Sequence, residues 1–140
     1  NVITESLAKS LYIEPHDSHL QFSATDEKKL GCVREVQVNV LSRYSDFKRT
    51  ISCQIASTLH ASIPYRNIDF KNYEEMPKVF LADPKFYQKF RIDMIIGAEV
   101  TKQSFLKNSH KLTNGIFFQE TSFGWVVAGT CHDKHPPKEQ

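Results

Sequence analysis

Long apolar runs are missing from this chain of 140 residues, and none approaches the roughly 18 residues expected of a membrane-spanning helix. An excess of one charge is missing too. Eighteen Lys and Arg against 16 Asp and Glu leave a net charge of +2, which gives no field to steer the chain toward nucleic acid or an anionic membrane. Cysteine is scarce and odd in number. Cys32, Cys53 and Cys131 are too widely spaced to read as a disulfide framework. No Asn-x-Ser/Thr acceptor occurs, in keeping with an unglycosylated, intracellular and cytoplasmic chain. The first residues show no basic-then-apolar leader pattern. The chain opens on Asn1 rather than Met, as a processed product, an excised domain or a fragment would.

The familiar chemical signatures are also absent. There is no Gly-x-Ser-x-Gly, no phosphate-cradling glycine loop and no dinucleotide fingerprint. His16 and His19 stand three residues apart, as do His132 and His135, with Asp17 and Cys131 nearby. Neither pair has the Cys-x-x-Cys or His-Glu-x-x-His context that makes such spacing informative, so no metal and no cofactor is expected. Cys53 falls on the inward side of an alternating segment. That position suits a buried structural cysteine better than a thiol nucleophile.

The composition, 40% hydrophobic and 24% charged, is that of one ordinary globular domain. Ile3, Leu7 and Leu11 recur at helical spacing, predicting a short helix over 2–11 that Pro15 closes. A brief strand over 19–22 and a polar turn over 25–29 follow. Val36, Val38 and Val40 then alternate with Glu35, Gln37 and Asn39, predicting a strand over 34–43. Phe47, Ile51, Cys53 and Ile55 share one side of a second strand, and the two read as an antiparallel hairpin with one wet face. Pro64, Pro77 and Pro84 interrupt residues 56–91. The aromatics there are either anchors that pin a long connection to the core or parts of a substrate wall.

Ile92-Asp93-Met94-Ile95-Ile96-Gly97-Ala98-Glu99 reads as a buried strand, a glycine turn and a helix start. Met94, Ile95 and Ile96 suit a strand covered on both faces. The helix is expected over 98–106, burying Val100, Phe105 and Leu106. Asp93 reads as a polar residue at the start of a strand, paired or solvated. Asn114-Gly115 predicts a tight hairpin, and 123–130 a final strand carrying Trp125 as a core or interface anchor. Residues 131–140 read as a polar tail. The sum is a mostly β barrel-like or sandwich domain of antiparallel strands with two short helices.

In their order along the chain, several stretches resemble the retropepsin-like aspartic peptidase domain of BEL/Pao-type retrotransposon polyproteins. They are Asn1-Val2-Ile3-Thr4-Glu5-Ser6-Leu7-Ala8-Lys9, the strand pair over 34–55, Leu81-Ala82-Asp83-Pro84-Lys85-Phe86, the Ile92–Glu99 element, and Gln119-Glu120-Thr121-Ser122-Phe123-Gly124-Trp125-Val126-Val127-Ala128-Gly129. The resemblance implies a closed retropepsin-like β-barrel over 1–130, lacking its N-terminal catalytic loop. It also implies a peptide or polyprotein substrate and a homodimer. Each half would supply one Asp, the pair sharing a proton around a water, one acting as acid and the other as base.

No Asp-Thr-Gly or Asp-Ser-Gly occurs in the chain, and Asp26, Asp46, Asp83 and Asp93 all fail the pattern. Asp17-Ser18-His19 comes nearest, with His in place of glycine. By the resemblance the catalytic Asp belongs just before Asn1. Ile95, Ile96 and Gly97 would then support the floor of the active site. The flap falls around Ser23, Ala24, Thr25 and Gly31, poor in glycine for that role, and Trp125, Val126 and Val127 fall at the dimer contact. The other reading of the same residues is a degenerate or domesticated fold that binds a protein partner or dimerises without catalysis.

Overall fold

The computed structural model describes residues 1–18, 33–70 and 76–130. Among these the chain is mostly β with two short helices. Its order is β1 (Val2–Thr4), α1 (Glu5–Ser10), β2 (His16–Ser18), β3 (Val33–Leu41), β4 (Lys48–Ala56), β5 (Ser62–Ile63), β6 (Phe90–Arg91), β7 (Met94–Ile95), α2 (Ala98–Ser104), β8 (Phe105–Lys111), β9 (Ile116–Thr121) and β10 (Gly124–Gly129). Three sheets form, in the orders β2-β3-β4-β1-β7, β10-β9-β8 and β5-β6. No closed barrel is present among the described residues. The largest sheet is mixed rather than antiparallel throughout, because β1 runs parallel to β4 and antiparallel to β7.

The β3–β4 hairpin is the one the alternation predicts. Val36 pairs with Cys53 and Val38 with Ile51, and all four side chains are buried in the first core. Ile3, Ala8 and Val100 complete the buried part of that core. A second core gathers Phe70, Leu112, Ile116 and Phe118, with Trp125 and Val127 packed against it. The β3–β4 turn is tied to the β9–β10 turn. Ser42 and Ser45 each donate a hydroxyl hydrogen bond to the Ser122 carbonyl, at 2.6 and 2.8 Å, while Phe47 meets Phe123 edge to face.

Several local expectations give way. The segment expected as one helix over 2–11 divides at Thr4, which is extended (φ −71°, ψ 148°) and caps α1 by accepting from the Leu7 N–H. Val2 and Ile3 are β-branched and pair on both sides instead. Ile3 is therefore fully buried, whereas Leu11 is half exposed. The strand expected over 92–96 is only Met94–Ile95. It lies at the sheet edge, with β1 as its partner among the described residues, and Ile95 is 47% exposed rather than covered on both faces.

Helix α2 ends before Phe105 and Leu106, which open β8 and are exposed rather than buried. At the Asn114-Gly115 turn only Gly115 has positive φ, at +89°. Asn114 instead accepts from the Ile116 N–H through its side chain, and residues 112–115 form a longer loop than a two-residue turn. The predicted strand over 19–22, the turn over 25–29 and the tail over 131–140 lie outside the described residues.

Candidate functional site

Two places in the fold gather the residues singled out by sequence. The first is the junction of Asn1 with Gly97. Strand β1 is threaded between β4 and β7, with Val2 opposite Gln54 on one side and Ile95 on the other. Two central pairings cost little backbone freedom here because Val2 and Ile3 favour extended conformations. Asn1 then bridges both neighbours. Its Oδ1 accepts from the Gly97 N–H at 2.7 Å, its Nδ2 donates to the Ser52 carbonyl at 3.1 Å, and its own carbonyl accepts from the Gln54 N–H at 3.0 Å.

Gly97 caps the N-terminus of α2. A Cβ built there would sit 3.2 Å from Asn1 Oδ1, so the close approach favours glycine. Ile96 packs against the first core, while Ile95 pairs with Val2. Thus Ile95, Ile96 and Gly97 are brought to the first residues of the chain, one through sheet pairing, one through packing and one through a hydrogen bond.

Asp93, beside this junction, is paired. Arg91 Nε lies 3.3 Å from its carboxylate, Thr4 donates a 3.4 Å hydroxyl hydrogen bond to it, and its carbonyl accepts from the Thr4 N–H. It therefore acts as a tie between β7 and the start of α1. Asp17 falls opposite Arg34 in the β2–β3 register. Ser23, Ala24, Thr25 and Gly31, expected in a flap, lie outside the described residues. Among the described residues no cluster of His, Cys, Asp and Glu has the make-up of a metal site, and no helix is long and apolar enough to cross a membrane. Burial pushes the Cys53 thiol up from its ordinary pKa, which disfavours the thiolate a nucleophile needs.

The second place is a cleft of about 1050 Å³ between residues 62–69 and strand β10. Trp125, Val126 and Val127, expected at a dimer contact, line this cleft. Its opposite wall is part of the aromatic loop region that the sequence left open between core anchor and substrate wall. Phe70 and Phe86 meet edge to face in the second core, as anchors do, while Tyr65 is 72% exposed and lines the cleft. That 62–69 faces 125–130 across a cleft was not visible in sequence, because no local pattern links segments so far apart. At the other edge of the same sheet, β8 is exposed along its whole length.

No family model matches the chain, and no curated protein or solved structure matches it either.

Proposed function

We propose that this chain is the greater part of a retropepsin-like aspartic peptidase domain of the BEL/Pao retrotransposon type, intracellular and acting on a polyprotein. The observation that carries the reading is the Asn1–Gly97 junction. In the resemblance, the hydrophobic-hydrophobic-Gly element packs against the active-site loop, and the segment beginning at Asn1 follows that loop directly. Here Asn1 hydrogen-bonds the Gly97 N–H, and β1 lies between β4 and the β7 strand of that element. An Asp-Ser/Thr-Gly loop just upstream of Asn1 would emerge beside Ile95–Gly97.

The chemistry follows from two such loops meeting in a homodimer. Two close carboxylates cannot both ionise, so one holds a proton and the other takes a proton from water as it attacks the peptide carbonyl. The residues of this chain act by holding those loops, through the Asn1 bridge and the Gly97 approach. The exposed β8 at the open edge of the sheet β8-β9-β10 is the surface offered for association. An unpaired strand edge of that kind favours joining another chain.

The test is peptide cleavage by a polypeptide that carries the upstream residues together with 1–140. The expected result is pepstatin-sensitive hydrolysis at acidic pH by a dimer, lost when the upstream Asp is replaced by Asn. A second reading, a non-catalytic fold that binds or dimerises, is favoured by one observation: the chain contains no Asp-Thr/Ser-Gly. Peptide binding that persists without turnover in the extended polypeptide would select it.

A further inference from the structure

We propose that the cleft between residues 62–69 and β10 is a docking groove for an extended, apolar segment of a partner protein, which joins the three-stranded sheet as a fourth strand. The groove shares no residue with the Asn1–Gly97 junction, and the inference stands whether or not the domain is a peptidase.

The backbone of β10 carries the argument. The Trp125 N–H donates to the Phe80 carbonyl and the Trp125 carbonyl accepts from the Ala82 N–H, each at 2.8 Å. Those bonds point away from β9, so alternate residues of β10 present their polar groups outward. Two residues on, Val127 turns its N–H and carbonyl the same way, and Gly129 its N–H. Among the described residues these groups have no backbone partner. The segment 80–82 runs parallel to β10 through its Leu81–Trp125 bridge, then leaves at Asp83-Pro84. Among the described residues the lane continues unoccupied along the cleft.

The shape of the cleft selects the occupant. A volume of about 1050 Å³ exceeds what a small metabolite fills and suits several residues of extended chain. A second copy is a poor fit, because its own β10 edge stands behind the same 62–69 wall and cannot come alongside. A single strand can enter. The lip is apolar: Ile63 is 69% exposed and Tyr65 72%, and Phe90, which pairs with Ile63, is 71% exposed. The charges on the wall do not select a charged peptide. Arg66 lies over the Tyr65 ring, Asp83 accepts from the Lys85 N–H, and Asp69 is engaged within the chain. Main-chain bonds to a sheet edge with apolar side chains against the lip are the marks of strand addition.

The probe is a capped heptapeptide alternating Thr and Val between terminal Lys residues, with a twin N-methylated at every internal amide. Amide hydrogen exchange of the whole chain is followed by NMR at millimolar peptide. The expected result is exchange at Val127 and Gly129 slowed about tenfold by the first peptide and not by the twin. Tyr65→Ser, on the exposed lip, should weaken binding about fivefold without lowering the melting temperature. Val127→Pro removes an outward N–H without touching the β9 ladder and should abolish binding. Unchanged exchange at these two amides would overturn the proposal, as would equal protection by the N-methylated twin. Protection that rises with protein concentration instead of peptide would also overturn it, by making the edge a self-contact.

Discussion

Replacing Ile3 with Ala should cost the domain about 3–4 kcal/mol. The side chain is fully buried in the first core, and truncation removes three carbons. At about 0.8 kcal/mol for each buried CH₂ the transfer loss is roughly 2.4 kcal/mol. Strand β1 is held by β4 and β7, so the site cannot collapse freely. A residual cavity of roughly 50 Å³ at about 24 cal/mol per Å³ adds about 1.2 kcal/mol. The sum is a large share of a domain's usual net stability of about 5–15 kcal/mol. Leu11, which shares helical spacing with Ile3, is 48% exposed, and Leu11→Ala should cost under about 1 kcal/mol. Urea unfolding followed by Trp125 fluorescence and circular dichroism reads both, as a midpoint shift at constant slope. Equal losses for the two variants would refute the reasoning, since they would put Ile3 and Leu11 on one helix face.

Three further perturbations probe Gly124, Trp125 and Glu5. Gly124 has φ +109°, and a Cβ there would lie 2.9 Å from the Ala82 nitrogen, so Gly124→Ala should destabilise by about 1–3 kcal/mol in the same urea assay. Trp125→Ala should cost about 2 kcal/mol, less than a fully buried tryptophan because the ring is partly exposed; an unchanged melting temperature would count against it. The hydrogen bond from Arg34, aided by the charge of Lys9, holds Glu5 below its ordinary value of 4.5. A depressed carboxylate stabilises the fold above that ordinary value and loses the contribution as pH falls through the lowered one. The advantage of the native chain over Glu5→Gln should therefore be present at neutral pH, shrink in acid and be reduced by salt, as read by urea melts across that range.

The parts of this fold that were legible in sequence are those in which side-chain period and burial agree. Val36, Val38 and Val40 alternate cleanly because β3 and β4 bury one face. At 2–11 the periodicity misled, because Ile3, Leu7 and Leu11 fit a helix and also fit a strand that hands over to a helix. The capping role of Thr4 decided between them, through its bond from the Leu7 N–H. Ile95 and Ile96 read as doubly covered because an apolar run carries no information about sheet order, and β7 is an edge. Phe105 and Leu106 extended the helical pattern on composition alone, yet the chain becomes extended at Phe105 (φ −68°, ψ 133°). Of the candidate site, the importance of Gly97 was legible from its place after the apolar run. The partner it meets, Asn1, was not, because contact between the first residue and the ninety-seventh is a property of topology. The β10 cleft lay outside reach for the same reason.

The proposed peptidase function requires that the segment beginning at Asn1 follow an aspartic peptidase loop. The most direct test is the reading frame immediately upstream of the Asn1 codon. An in-frame Asp-Ser/Thr-Gly within a few codons of Asn1 is the expected result. A stop codon, or in-frame residues without that motif, would contradict the proposed peptidase chemistry.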